Sequence, residues 1–191
     1  MKRTFITLTL VTFFCLILQS FVRILPETLK NQANIDSTYL ISDGKVGKLE
    51  INMDAAKLCS IFPAEKMKVK KSSSGDDEYA TYKIYGDNKK LAIEIESLCA
   101  DICMVSRISV FSPQYKTLSG VGVGSSFAEV KKNFSMKYII GGEGNNIMIY
   151  VKEFRDVAFL VRATDKTVQY GKPYDTSEIL DTDFISQIYI F

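Results

Sequence analysis

The sequence predicts an α+β protein built from two αβββ repeats, each a short helix packed on an antiparallel meander sheet. Three observations carry that expectation. Residues 51–62 can be laid on residues 123–134 at a constant offset of 72, which sets Ala56 on Ala128, Leu58 on Val130 and Phe62 on Phe134. Ser106-Arg-Ile-Ser-Val-Phe111 matches Ser186-Gln-Ile-Tyr-Ile-Phe191 at an offset of 80. Between these anchors lie short runs in which apolar residues alternate with polar ones, the period of a strand with one buried face. The second copy has therefore absorbed eight extra residues, and the polar stretch 165–183 is where a loop takes up an insertion without changing element order.

Lys2 and Arg3 stand ahead of an apolar run, 5–22, broken only by Thr7, Thr9, Thr12, Gln19 and Ser20. A short basic region before a hydrophobic one is the pattern of a secretory signal. No small-x-small triplet closes it, so residues 1–22 read as a signal peptide or as a retained N-terminal anchor. Cys15 lies inside the run, which fails the pattern of a lipoprotein signal. With the basic end held in the cytoplasm, the rest of the chain is expected in the periplasm or cell envelope.

Residues 23–45 read as a linker, because Asn31, Gln32, Asn34, Asp36, Ser37, Asp43 and Gly44 interrupt any period. The first repeat follows over 46–111, then a connecting loop over 112–122 and the second repeat over 123–191. Ser126 with Glu129 forms a capping box, and Phe127, Val130 and Phe134 make one apolar stripe. Asp54 holds the matching place ahead of Leu58, Ile61 and Phe62. Strands are expected over 78–85, 91–96 and 107–111 in the first copy, and over 146–152, 157–162 and 186–191 in the second. The C-terminal aromatic invites comparison with a membrane barrel, but barrel strands need about ten alternating residues each, and these runs are shorter.

A short capped helix after a glycine turn, followed by an antiparallel meander and then repeated, resembles the tandem-repeat β-lactamase inhibitor protein fold. It is also similar to the SmpA/OmlA envelope-assembly lipoproteins, which carry one such unit. The residues behind the likeness are Gly120-Val-Gly-Val-Gly-Ser-Ser-Phe-Ala-Glu-Val130, with 51–62 as the degenerate copy. It covers about 46–191 in element order, and the family's inhibitory residues have no counterparts here. The resemblance implies an inhibitor-like or assembly-factor-like protein that binds another protein.

Among 191 residues there is no histidine, which excludes Ser-His-Asp and Cys-His catalysis, HExxH zinc sites and imidazole ligation of haem. Beyond Lys2 and Arg3, 22 basic residues face 22 acidic ones, so bulk charge offers nothing for nucleic acid. The glycines at 120, 122 and 124 read as turn and cap chemistry, because Phe127 stands where a dinucleotide fingerprint beginning at Gly122 needs its third glycine. Lys66, Lys68, Lys70 and Lys71, with Asp76, Asp77 and Glu78 close behind, read as a solvated connection. No cofactor or metal is expected.

Strand alternation turns Ala80, Tyr82, Ile84, Ile93, Ile95, Ile108 and Val110 toward the helices. It turns Tyr79, Lys83, Tyr85, Glu94, Glu96, Arg107 and Ser109 outward, with Met148, Tyr150, Gln187, Tyr189 and Phe191 in the second copy. Tyr and Arg supply binding energy at protein interfaces, which makes Tyr85, Arg107, Tyr150 and Tyr189 the candidate protein-docking residues. An ordinary half-wet sheet is the bland reading of the same pattern. The alternatives in other classes are a periplasmic enzyme using carboxylates such as Glu94 and Glu96, or cysteines, and a carrier of a small apolar ligand. Cys99 and Cys103 bracket three residues between two strand-like runs, and a disulfide at the mouth of that hairpin is expected. Cys59, beside Leu58 and Phe62, reads as a small half-buried thiol.

Overall fold

A computed structural model describes residues 36–75 and 77–191. The run 5–22, and with it the signal or anchor reading, lies outside them. Chain order is β1 (Leu40–Ser42), β2 (Lys45–Val46), β3 (Leu49–Glu50), α1 (Leu58–Ile61), β4 (Met67–Ser74), β5 (Asp77–Tyr85), β6 (Leu91–Cys99), β7 (Cys103–Val110) and β8 (Lys116–Thr117). It continues through α2 (Phe127–Asn133), β9 (Met136–Gly141), β10 (Asn146–Val151), β11 (Val157–Arg162) and β12 (Phe184–Ile190). The class is α+β, with short helices and extended antiparallel sheet.

Each helix is entered through a side-chain-capped turn, the 3-10 turn Ala55–Lys57 that leads into α1 and the first turn of α2 itself. Asp54 accepts from the Ala56 amide at 2.8 Å, and Ser126 and Glu129 form a reciprocal capping box. The chain reaches both caps by the same route. The Asn52 amide donates to the Val105 carbonyl and the Val105 amide donates to Met53, while Gly124 donates to Ile185 and Ile185 to Ser125. Isolated bridges Asp54↔Met104 and Ser126↔Phe184 complete the pattern. These contacts keep the two sequence offsets bond for bond. Asn52 (φ 65°) and Gly124 (φ 87°) share the left-handed conformation, so the first copy has asparagine where the second has glycine.

Eight strands form one sheet in the order β4-β5-β6-β7-β12-β11-β10-β9. Each meander thus has four strands, one more than the expected αβββ. The additions are β4, whose lysines had suggested a solvated connection, and β9. β4 is exposed beyond Met67, so no buried face imposes alternation on it, and its backbone pairing with β5 makes it a strand. The sheet is continuous because β7 and β12 pair through Val110↔Ile188, Ser109↔Tyr189 and Ile108↔Ile190. Their middle pair joins residues matched by the offset of 80, so a local two-fold axis passes through Ser109 and Tyr189.

One core lies on the inner face of this sheet. Ile93, Ile95, Ile108, Ile147, Ile149, Phe159 and Ile188 are fully buried there together with Leu58, Phe127 and Val130 from the helices. Phe134, just after α2, stacks on Phe159 at 5.4 Å. A second sheet of four short strands, β3-β2-β1-β8, adds Ile41, Val46 and Leu49 to the same core. It corrects the linker reading over the described part of 23–45, where β1 and the first residue of β2 lie, and the loop reading of 112–122, which contains β8. Polar spacing hid these strands because they are only two or three residues long.

Cys99 and Cys103 face each other in register at the end of the β6–β7 hairpin and form a disulfide. Cys59 is exposed rather than half-buried, because α1 is one turn long and presents only Leu58 fully to the core.

The matched left-handed positions give substitutions of opposite sign. Asn52→Gly removes a strained conformation at an exposed site and is expected to stabilise by up to about 1 kcal/mol. Gly124→Ala has open space for its methyl but pays the left-handed penalty, about 1–2 kcal/mol. Urea denaturation of both variants checks this; shifts of the same sign would show that the two turns are not equivalent.

Candidate functional site

The outer face of the large sheet is organised by a row that crosses every strand. Lys68, Lys83, Glu94, Ser109, Tyr189, Ala158, Tyr150 and Tyr138 are consecutive cross-strand partners from β4 to β9. Cross-strand partners share a face, so these side chains form one line from a charged end to an aromatic end.

In the charged half, Lys83 pairs with Glu94 at 3.1 Å, and Arg107 pairs with Glu96 in the neighbouring row. The two carboxylates considered as catalytic candidates are therefore each engaged by a cross-strand cation. Arg107 also lies over the Tyr189 ring, 5.0 Å from its centroid, while its Nε is enclosed without a hydrogen-bond partner. Gln187 Nε2 donates to the Tyr189 hydroxyl at 2.8 Å, and Phe191 meets the Tyr189 ring edge-on at 6.0 Å. Burial pushes the Tyr189 phenol pKa up against the opposing pull of the Arg107 guanidinium.

In the aromatic half, Tyr138 and Tyr150 stack at 4.2 Å. β11 between Tyr150 and Tyr189 is buried on both faces, which is why 157–161 is a continuous apolar run. Ala158 faces outward yet is fully buried, its row neighbours being the two tyrosines. Burial, with the Tyr138 phenol beside it, pushes the Tyr150 pKa up to about 12. Tyr115, away from this face, is raised to about 12 by burial.

Of the four residues chosen from sequence, the structure brings Arg107 and Tyr189 into contact and puts Tyr150 in the Tyr189 row. Tyr85 stands apart, past a register shift at the end of β5, with Lys68 Nζ 5.2 Å from its ring centroid. Tyr138 was missed because β9 was not expected. Its signal was present in Met136-Lys-Tyr-Ile-Ile140, rich in aromatic and β-branched residues. Elsewhere, a depression of about 440 Å³ beyond the end of β7 is lined by Leu91, Phe111 and Pro113 with Asp87 and Lys90. Another, of about 400 Å³, surrounds Tyr85 and Lys68 and includes the Lys66–Asp87 ion pair at 2.6 Å. Among the described residues no group of cysteines and carboxylates is arranged to hold a metal ion.

Because Tyr115 and Tyr150 have folded pKa values near 12, above the ordinary value of 10.0, they stabilise the fold fully below about pH 10. That contribution is lost as pH rises toward 12. Ultraviolet titration of phenolates is expected to show a late-ionising fraction that shrinks in Tyr150→Phe. An unchanged late fraction would place Tyr150 in water.

No family model matches the chain, and a search of curated proteins returns no match. Among solved structures, the crystal structure of the uncharacterized protein yfeY from Escherichia coli is similar, with a TM-score of 0.59 at 15% identity over 79% of this chain and 98% of that one. At that identity the likeness concerns the fold, a sheet-rich α+β architecture.

Proposed function

We propose that this chain is an exported, non-enzymatic protein-binding module of the cell envelope, docking a partner through the outer face of its large sheet. The observation that carries the reading is the Arg107–Tyr189–Gln187 cluster, continuous with the Tyr150–Tyr138 stack along one row. Aromatic rings held by neighbours lose little side-chain entropy when covered, and an arginine already stacked on a ring is preorganised for the same reason. Export is supported by Lys2, Arg3 and the apolar run 5–22, and by the Cys99–Cys103 disulfide, since disulfides persist in oxidising compartments. The resemblance to β-lactamase inhibitor and SmpA/OmlA proteins supports a role in inhibition or envelope assembly. A carrier would need space between helices and sheet, where Leu58, Phe127 and Phe159 are fully buried.

Pull-down from envelope extract with the wild type and with Tyr85→Ala/Tyr150→Ala/Tyr189→Ala tests the reading. The expected outcome is loss of the captured partner from a variant that keeps its sheet by circular dichroism. Retention of the same partner by the folded variant overturns the docking face. Comparing Tyr85→Ala with Tyr150→Ala/Tyr189→Ala separates the isolated ring from the cluster.

A further inference from the structure

The two edges of the large sheet differ. At β9 the chain covers its own edge: the Gly141 amide donates to the Lys172 carbonyl at 2.7 Å, Gly171 donates back to Gly141 at 2.8 Å, and Tyr174 donates to Ile139 at 3.0 Å. At the opposite edge, β4 pairs with β5 on one side and with no strand of the described residues on the other. Its eight residues pair from Met67↔Ile84 to Ser74↔Asp77 without a bulge, and contain neither proline nor glycine. The usual devices that twist or interrupt an edge are thus missing, and what remains is charge.

That charge has one sign. β4 carries Lys68, Lys70 and Lys71 and no acid. Of the carboxylates around it, Glu94 is engaged by Lys83, Glu96 by Arg107 and Asp87 by Lys66, Glu65 precedes the strand and Glu78 lies across from Ser73 near its far end, while Lys68 rests over the Tyr85 ring. Pairing with the same edge of a second copy would bring lysines against lysines, which is destabilising in a cross-strand pair. An incoming acidic strand reverses that sign.

We propose that β4 is a docking edge for an extended acidic strand of another protein. Alternation sets the pattern such a strand must have. Lys68 and Lys70 share the outer face with their partners Lys83 and Thr81, whereas Val69 points to the core side with its partner Tyr82 and is 49% exposed. The added strand therefore carries acids beside Lys68 and Lys70 and an apolar residue between them to cover Val69. Main-chain hydrogen bonds to the open side of β4 provide affinity, and the alternation provides selectivity. β5 and β6 separate this edge from the Arg107–Tyr189 cluster, so Tyr150→Ala/Tyr189→Ala tests the cluster and leaves the edge intact, whereas Tyr85 lies under Lys68 and adjoins the edge.

An eight-residue peptide alternating glutamate and valine is the probe, titrated into the full chain by fluorescence anisotropy, with amide hydrogen exchange to locate it. Saturable binding and slowed exchange in β4 are expected. Lys68→Glu/Lys70→Glu weakens binding by about tenfold or more, and the neutral Lys68→Gln/Lys70→Gln by less. The same peptide N-methylated at every residue keeps its charge but has no N–H on either edge to donate to β4, and is expected not to bind. The proposal is overturned by absence of binding or by protection away from β4. Equal binding of the N-methylated peptide, or of a lysine–valine peptide, also overturns it, as does binding of phosphatidylglycerol vesicles without binding of the peptide.

Discussion

The antiparallel contact between β7 and β12 is the constraint on which the rest of the molecule depends. It consists of three residue pairs, with Ile108, Val110, Ile188 and Ile190 buried on the core side and Ser109 opposite Tyr189 on the other. Without it, each half would expose the edge of its last strand and a row of unpaired backbone groups. With it, both meanders become one sheet and their apolar faces contribute to one core.

The same contact creates the asymmetry of the outer face. Across the local two-fold axis Arg107 corresponds to Gln187 and Ser109 to Tyr189, so the duplicated positions have diverged into different chemistry. Both Arg107 and Gln187 engage the Tyr189 ring or its hydroxyl. Serine opposite tyrosine leaves the ring uncrowded at the junction, and the arginine approaches diagonally from β7. A cluster of this kind draws on both halves and could not be assembled within one repeat.

Much of the fold was legible because its signals are local. The capping box at Ser126 and Glu129, the cap at Asp54, the inward isoleucines of β6 and β7 and the Cys99–Cys103 hairpin all follow from residues close in sequence. β4 was illegible because a strand wet on both faces imposes no hydrophobic period, and its lysines look the same in a loop. Tyr138 went unnoticed with β9 for the related reason that its strand lies at the other margin of the sheet. The exposure of Cys59 depends on α1 being a single turn, which the spacing of Leu58, Ile61 and Phe62 does not specify.

Among the candidate docking residues, the period of a strand was enough to turn Arg107, Tyr150 and Tyr189 to one side. It could not say which strands would be neighbours, and so could not separate the Arg107–Tyr189 contact from the detached Tyr85. The missing histidine, the repeat offsets and the direction of each strand residue are properties of the sequence itself. The adjacency of β7 and β12, the eight-residue row across the sheet and the open edge at β4 were decided only by tertiary structure. The physical reason is that side-chain alternation is imposed by the backbone within one strand, whereas a strand's partner is selected by burial shared among segments far apart in the chain.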